Sequence, residues 1–251
     1  MNRGLFGTPW RDRLGDLCAF FREGALPAAG GASAAPNPFG MPVVARSILR
    51  CVSPVNGFST GDCWHTPFTG ANSTVNTTEW GYTRNDAMKV ATISGPDGSQ
   101  SGRYGLFVDG TTNAYVPLAN FREVYVLVGP KGPRAGVSHL PSLQRFTTPP
   151  RPCAAAANYV EKNLLGRPPA FVNVLYKCIN PELGYAVGDI VDRGHFQQGG
   201  SSTVSDCIRT NERIVELRTP VAGDYYLPRA TTGAVSFMSP TFWQVFLEVI
   251  G

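Results

Sequence analysis

Charge is scarce in this chain. Lys, Arg, Asp and Glu make up 16% of its 251 residues, against a usual share of about 25%. Its three histidines, His65, His139 and His195, are far apart in sequence. No H-E-x-x-H, G-x-S-x-G, Walker or dinucleotide-binding element occurs. None of the six cysteines stands in a Cys-x-x-Cys or Cys/His spacing that holds zinc. Six thiols are also too few to staple a chain of this length as a disulfide scaffold. The sequence therefore points to no enzymatic centre, no metal and no cofactor. No apolar run approaches the ~18 residues of a membrane-spanning helix, so no membrane partner is expected. The first residues lack the charged, apolar and small-residue order of a signal peptide. The net charge is +4, carried mostly by scattered arginines rather than by the basic stripe of a nucleic-acid-binding domain. Nucleic acid is not an expected partner.

Turn-formers, by contrast, are plentiful: 28 glycines and 21 prolines make about a fifth of the chain, where average usage gives roughly 12%. With 43% hydrophobic and 11% aromatic residues, a core can form, and wholesale disorder is excluded. Short apolar runs such as 43–53, 123–128, 171–179 and 244–250 alternate with turn signals at Asn56-Gly57, Asp97-Gly98, Asp109-Gly110 and Gly199-Gly200. This spacing predicts an all-β chain of sandwich or barrel type.

The chain also resembles itself. Cys51, Pro54, Gly57, Phe58, Gly61 and Asp62 align with Cys178, Pro181, Gly184, Tyr185, Gly188 and Asp189 at one offset of 127. Phe121–Gly129 resembles Trp243–Gly251 at an offset of 122. Such self-similarity predicts two copies of one β module, over 43–130 and 170–251. In each copy the Gly-aromatic-x-x-Gly-Asp stretch reads as a tight turn. Gly57, Gly61, Gly184 and Gly188 would supply positive φ, and Asp62 and Asp189 would bond nearby backbone amides.

Two segments fall outside the modules. Residues 131–169 read as a Pro-rich linker with a short helix over 154–165, stopped by Gly166. Residues 1–42 read as an anchor helix from Thr8 to Glu23 and a flexible tether over 27–42. Trp10, Leu14, Leu17 and Phe21 form its apolar stripe, the candidate surface for a partner. Trp64, Trp80 and Tyr82, set among polar turn residues, are candidates for stacking on a glycan.

Three elements then suggest a family: Gly184-Tyr185-Ala-Val-Gly188-Asp189, Thr231-Thr232-Gly233, and the closing strand from Trp243. Together they resemble a small β module that recurs in virion proteins of tailed bacteriophages, especially tail- and fibre-associated ones. The first copy keeps the turn but has Thr111-Thr112-Asn113 and Phe121 at the later positions. The resemblance implies a structural virion component that is assembled in the host cytoplasm and forms homo-oligomers. It would join other virion proteins through its N-terminal segment or touch a host surface glycan. Two other readings compete: a capsid or capsid-decoration protein, and a tail-associated glycan-degrading enzyme. A capsid sandwich would be one continuous body, and a depolymerase would need paired carboxylates in a cleft.

Overall fold

A computed structural model describes residues 14–24, 32–41, 43–55, 57–65, 82–85, 89–93, 103–107, 113–132, 137–192, 207–219, 226–233 and 235–251. Among them the chain is all-β: nineteen strands, single 3-10 turns, and no α-helix. The first half holds β1 (Leu17–Gly24), β2 (Ala32–Pro36), β3 (Val44–Cys51), β4 (Cys63–Trp64), β5 (Tyr82–Asn85), β6 (Lys89–Ile93), β7 (Arg103–Phe107), β8 (Asn113–Pro117) and β9 (Phe121–Pro130). The second holds β10 (Arg145–Thr147), β11 (Arg151–Pro152), β12 (Asn158–Lys162), β13 (Phe171–Cys178), β14 (Ile190–Asp192), β15 (Cys207–Thr210), β16 (Ile214–Arg218), β17 (Tyr226–Pro228), β18 (Val235–Phe237) and β19 (Trp243–Ile250).

All pairings are antiparallel. A seven-stranded sheet runs β1-β9-β3-β4-β15-β16-β12, and a second sheet runs β10-β19-β13-β14 with β11 also on β19. Three small sheets, β2-β6-β5, β7-β8 and β17-β18, complete the set. The side-chain period of two decides which face each strand buries. Val172, Val174, Tyr176 and Cys178 of β13 and Val245, Leu247 and Val249 of β19 meet Ile208, Val215 and Leu217 of the other large sheet in one core. A second core gathers Ile48, Val124, Val126 and Val128, together with Ile250 and Phe171 from the end of the β13–β19 ribbon. The opposite face of β9 packs Tyr125 and Leu127 against Ala35, Phe39 and Val137.

The strands of the two halves follow one order with one set of partners. β3 pairs with β9 and β4, as β13 pairs with β19 and β14. The β5–β6 and β15–β16 hairpins have identical lengths, and their registers match 125 positions apart. β2 lies on β6 as β12 lies on β16. β1 lies on β9 as β10 and β11 lie on β19, and β7–β8 is matched by β17–β18. One ladder joins the halves: β4 to β15, through Trp64–Arg209 and Cys63–Thr210.

Three expectations are corrected. The helix expected from Thr8 to Glu23 gives way to β1 over Leu17–Gly24, paired along its whole length with β9. The spacing of Leu17 and Phe21 fits a strand as well as a helix, because four residues is a multiple of two. Ala19, buried between them, completes the alternation. A ladder of eight residue pairs outweighs a helix of ~16 residues, which is marginal in water by itself. Residues 27–42 were expected as tether, yet 32–36 form β2, and Phe39 is buried under β9. Residues 154–165 were expected as a helix. They turn at Ala156, with φ 51°, and enter β12, where the β-formers Tyr159 and Val160 lie.

Candidate functional site

The Gly-aromatic-x-x-Gly-Asp turns make the same hydrogen bonds. Cys51 N–H donates to Asp62 O at 2.8 Å, and Cys178 N–H to Asp189 O at 2.9 Å. Gly61 N–H returns to Cys51 O at 2.9 Å, as Gly188 N–H does to Cys178 O. Each Asp side chain accepts from the residue after the aromatic: Ser59 N–H to Asp62 Oδ2 and Ala186 N–H to Asp189 Oδ2, both at 2.8 Å. The glycines hold positive φ: 78° and 94° at Gly57 and Gly61, 87° and 97° at Gly184 and Gly188. Both thiols lean on a nearby carbonyl, Cys51 Sγ on Ser53 O and Cys178 Sγ on Asn180 O. Each turn aromatic meets the first aromatic of the closing strand edge-on, Phe58 on Phe121 at 5.6 Å and Tyr185 on Trp243 at 5.5 Å.

The surroundings of the two turns differ. The first is docked under β15. Asn211 Nδ2 donates to Asp62 Oδ1 at 2.9 Å, and Arg209 reaches Asp62 Oδ2 at 3.3 Å. Arg209 also bonds Gly57 O and Glu216, and its guanidinium lies 6.0 Å over the Phe58 ring. Arg218 Nε donates to the other oxygen of Glu216 at 2.8 Å. Asp62 is 3% exposed and Glu216 is fully buried, so Asp62, Arg209, Glu216 and Arg218 form a shielded chain of alternating charge. The second turn is open: Asp189 is exposed, as are Val187 at 64% and Ile190 at 57%.

The second turn gathers the three elements singled out in the sequence. Ala230 N–H donates to Leu183 O at 3.0 Å, which sets Thr231 against Gly184. A Cβ on Gly184 would lie 3.2 Å from Thr231 Cγ2. The Glu182 carboxylate accepts from Trp243 Nε1 at 2.7 Å and from Ser239 N–H at 2.9 Å. The first turn has Val55 and Phe121 at these positions, so it has no carboxylate–indole bond.

Other candidates are dispersed. Trp64 is 1% exposed, packed with Phe58 and Phe121, so its ring cannot present a face to a glycan. Trp10 and Trp80 lie outside the described residues, as does the side chain of Tyr82. Leu14 and Leu17 pack into the chain's own core beside Val128, Leu143 and Ile250, whereas Phe21 on β1 is 38% exposed. All six cysteines are free and buried, and burial pushes the Cys63 thiol up to about 12. Arg46, half-buried, is lowered to about 10 by desolvation; its Nη2 donates to His65 O at 2.6 Å, and it lies over the Phe171 ring. His65 shares a 2.8 Å hydrogen bond with Thr210 Oγ1. Among the described residues no three His, Cys, Asp or Glu side chains gather as a metal-holding group.

A second matched turn escaped the sequence analysis. Asn37 Nδ2 donates to Met41 O and Asn163 Nδ2 to Arg167 O, both at 2.8 Å. Phe39 and Leu165 N–H donate to Asn37 and Asn163 Oδ1, both at 3.0 Å. Gly40 and Gly166 follow with φ 62° and 65°. Phe39 and Leu165 then close on Gly129 and Gly251, where a Cβ would lie 2.7 Å and 2.9 Å from them. The available signal was Asn-x-apolar-Gly-x-Pro at 37–42 and 163–168. No family model, curated protein or solved structure matches this chain.

Proposed function

We propose that the chain is a structural component of a tailed-bacteriophage virion, a tail- or fibre-associated or adaptor protein built from two copies of one β unit. The units run from 17 to 130 and from 145 to 251, wider than the 43–130 and 170–251 read from sequence. What carries the two-unit reading is the agreement of the Gly-aromatic-x-x-Gly-Asp and Asn-x-apolar-Gly turns in hydrogen bonding, φ and spacing. The virion assignment rests on the likeness of the second unit's turn, Thr-Thr-Gly segment and Trp strand to phage virion modules. With β1 and β2 drawn into the sheets, attachment to another virion protein falls to residues 1–13, with Trp10 the chief anchor.

The test is particle composition. Peptides of this chain should appear in gradient-purified particles, and gold-labelled antibody should mark the tail or its fibres. Absence from particles would refute the virion reading. Uniform label over the head would favour a capsid or decoration protein. That reading draws support from the seven-stranded sheet, which passes without a break from the first half into the second.

A further inference from the structure

The ladder between the halves has an unused counterpart. Within each half, one sheet ends on a short strand (β4 or β14) and another on a four-residue strand (β5 or β15). β4 of the first half pairs with β15 of the second. Exchanging the halves turns that pairing into β14 with β5. Among the described residues both end their hydrogen-bonded order, β14 at the end of β10-β19-β13-β14 and β5 at the end of β2-β6-β5, where β5 also lies beside β3 of its own chain without a ladder to it. A sheet edge with a row of outward amides and carbonyls is a template for strand addition.

We propose that β14 and the 182–189 turn of one copy receive β5 of a second copy, as β4 and the first turn receive β15 within the chain. This rests on the two-unit reading and not on the virion assignment. The surface left open is of the kind such a strand covers. Ile190 is 57% exposed, whereas Cys63, its equivalent on the docked strand, is 3% exposed. Val187 in the same turn and Ile179 just past the end of β13 are also exposed, at 64% and 37%. Asp189 is exposed at the position where Asp62 is held by Arg209. β5 has Arg84 at the register position of Arg209, 125 residues earlier, so the arginine needed for the open carboxylate is present. Because β14 and β5 are different surfaces, each contact leaves one donor and one acceptor over, so the copies either close by a reciprocal second contact into a two-fold dimer or continue head-to-tail into rings or filaments.

The docked ladder sets the register: Cys63–Thr210 becomes Ile190–Asn85. Full-length Ile190→Cys and Asn85→Cys proteins, made separately and mixed under mild oxidation, should give an inter-chain disulfide dimer that neither gives alone. The doubly substituted protein should give covalent oligomers, a dimer where the contact is reciprocal and a ladder where it runs head-to-tail. A disulfide formed only within single chains would preserve the correspondence of the halves and overturn the contact between copies. No cross-link in either format would overturn the proposed pairing, while the paired-asparagine measurement described below tests the two-unit reading independently. As a second readout, the wild-type chain should associate with rising concentration in sedimentation velocity. The exposed-site double variant Val187→Lys/Ile190→Lys should stay monomeric with an unchanged melting temperature. A wild type that stays monomeric, or a variant that still associates, overturns the proposal.

Discussion

The two aspartates offer a comparison in which the turn is constant and the surroundings change. Asp62→Ala and Asp189→Ala each remove one carboxylate bond to a backbone amide, Ser59 N–H or Ala186 N–H, at the same 2.8 Å. At Asp189, exposed, that is most of the loss, about 1 kcal/mol. At Asp62 the change also removes the acceptor of Asn211 Nδ2 and one partner of Arg209, in a site where the Asp62 side chain is 4% exposed. Breaking a buried ion pair costs about 3–5 kcal/mol. Arg209 keeps Glu216, which places the cost at the lower end, about 3 kcal/mol. The difference between the variants, about 2 kcal/mol, corresponds to a gap of roughly 4–8 °C in Tm for a chain of this size. Urea titration followed by tryptophan fluorescence would measure it, with Asp62→Asn falling between because it keeps the acceptor for Ser59. If the two alanine variants agree within about 0.5 kcal/mol, the docking of the first turn on β15 contributes nothing and the reasoning fails.

Asn163→Ala should cost about 2–4 kcal/mol, since it orphans Leu165 N–H and the Arg167 and Asn211 carbonyls. Asn37→Ala likewise orphans Phe39 N–H and the Met41 carbonyl and should cost a similar amount, and urea unfolding of the pair would show it; a neutral result at both sites would count against the matched turns and the two-unit reading. Gly129→Ala should destabilise by about 1–3 kcal/mol, because its Cβ would sit 2.7 Å from the Phe39 ring and Val43; differential scanning calorimetry reads the shift. The buried cysteines should resist a thiol reagent until denaturant is added, and rapid native labelling of all six would contradict the fold. Cys63 also makes stability fall at high pH. Its thiol rises from 9.0 to about 12 on folding, so its contribution is complete below pH 9 and drains away between pH 9 and about 12. Cys63→Ala should flatten that limb of the stability profile.

The β class and the two Gly-aromatic-x-x-Gly-Asp turns could be read from sequence because their causes are local. Positive φ at Gly57, Gly61, Gly184 and Gly188 demands a particular residue, and a carboxylate reaching back three residues demands another. Both demands leave letters at fixed spacing. The outer strands of each half could not be read this way. β2 reads Ala-Ser-Ala-Ala-Pro and β12 reads Asn-Tyr-Val-Glu-Lys; they occupy the same place on β6 and β16 and share no residue type. What they share is a backbone ladder, which constrains side chains weakly. Their alanines and lysine score as tether or helix when taken alone, and only the partner strand decides.

The same argument explains why the turns looked alike in sequence and differ in use. Nothing within residues 54–65 or 181–192 says that one aspartate will be buried and the other exposed. The difference comes from Arg209 and Asn211, about 150 residues after Asp62 and only 20 and 22 after Asp189. Sequence proximity would assign them to the second turn; the topology gives them to the first. β15 follows β14 in the chain yet pairs across the halves with β4, so the second half lends its β12-β16-β15 arm to the β4 edge of the first. An exchange of that kind satisfies one edge within the chain and leaves the reciprocal pair, β14 and β5, on different sheets. Continuity of the chain then supplies a donor and an acceptor at separate places on one molecule, which is the geometric condition for assembly by repetition.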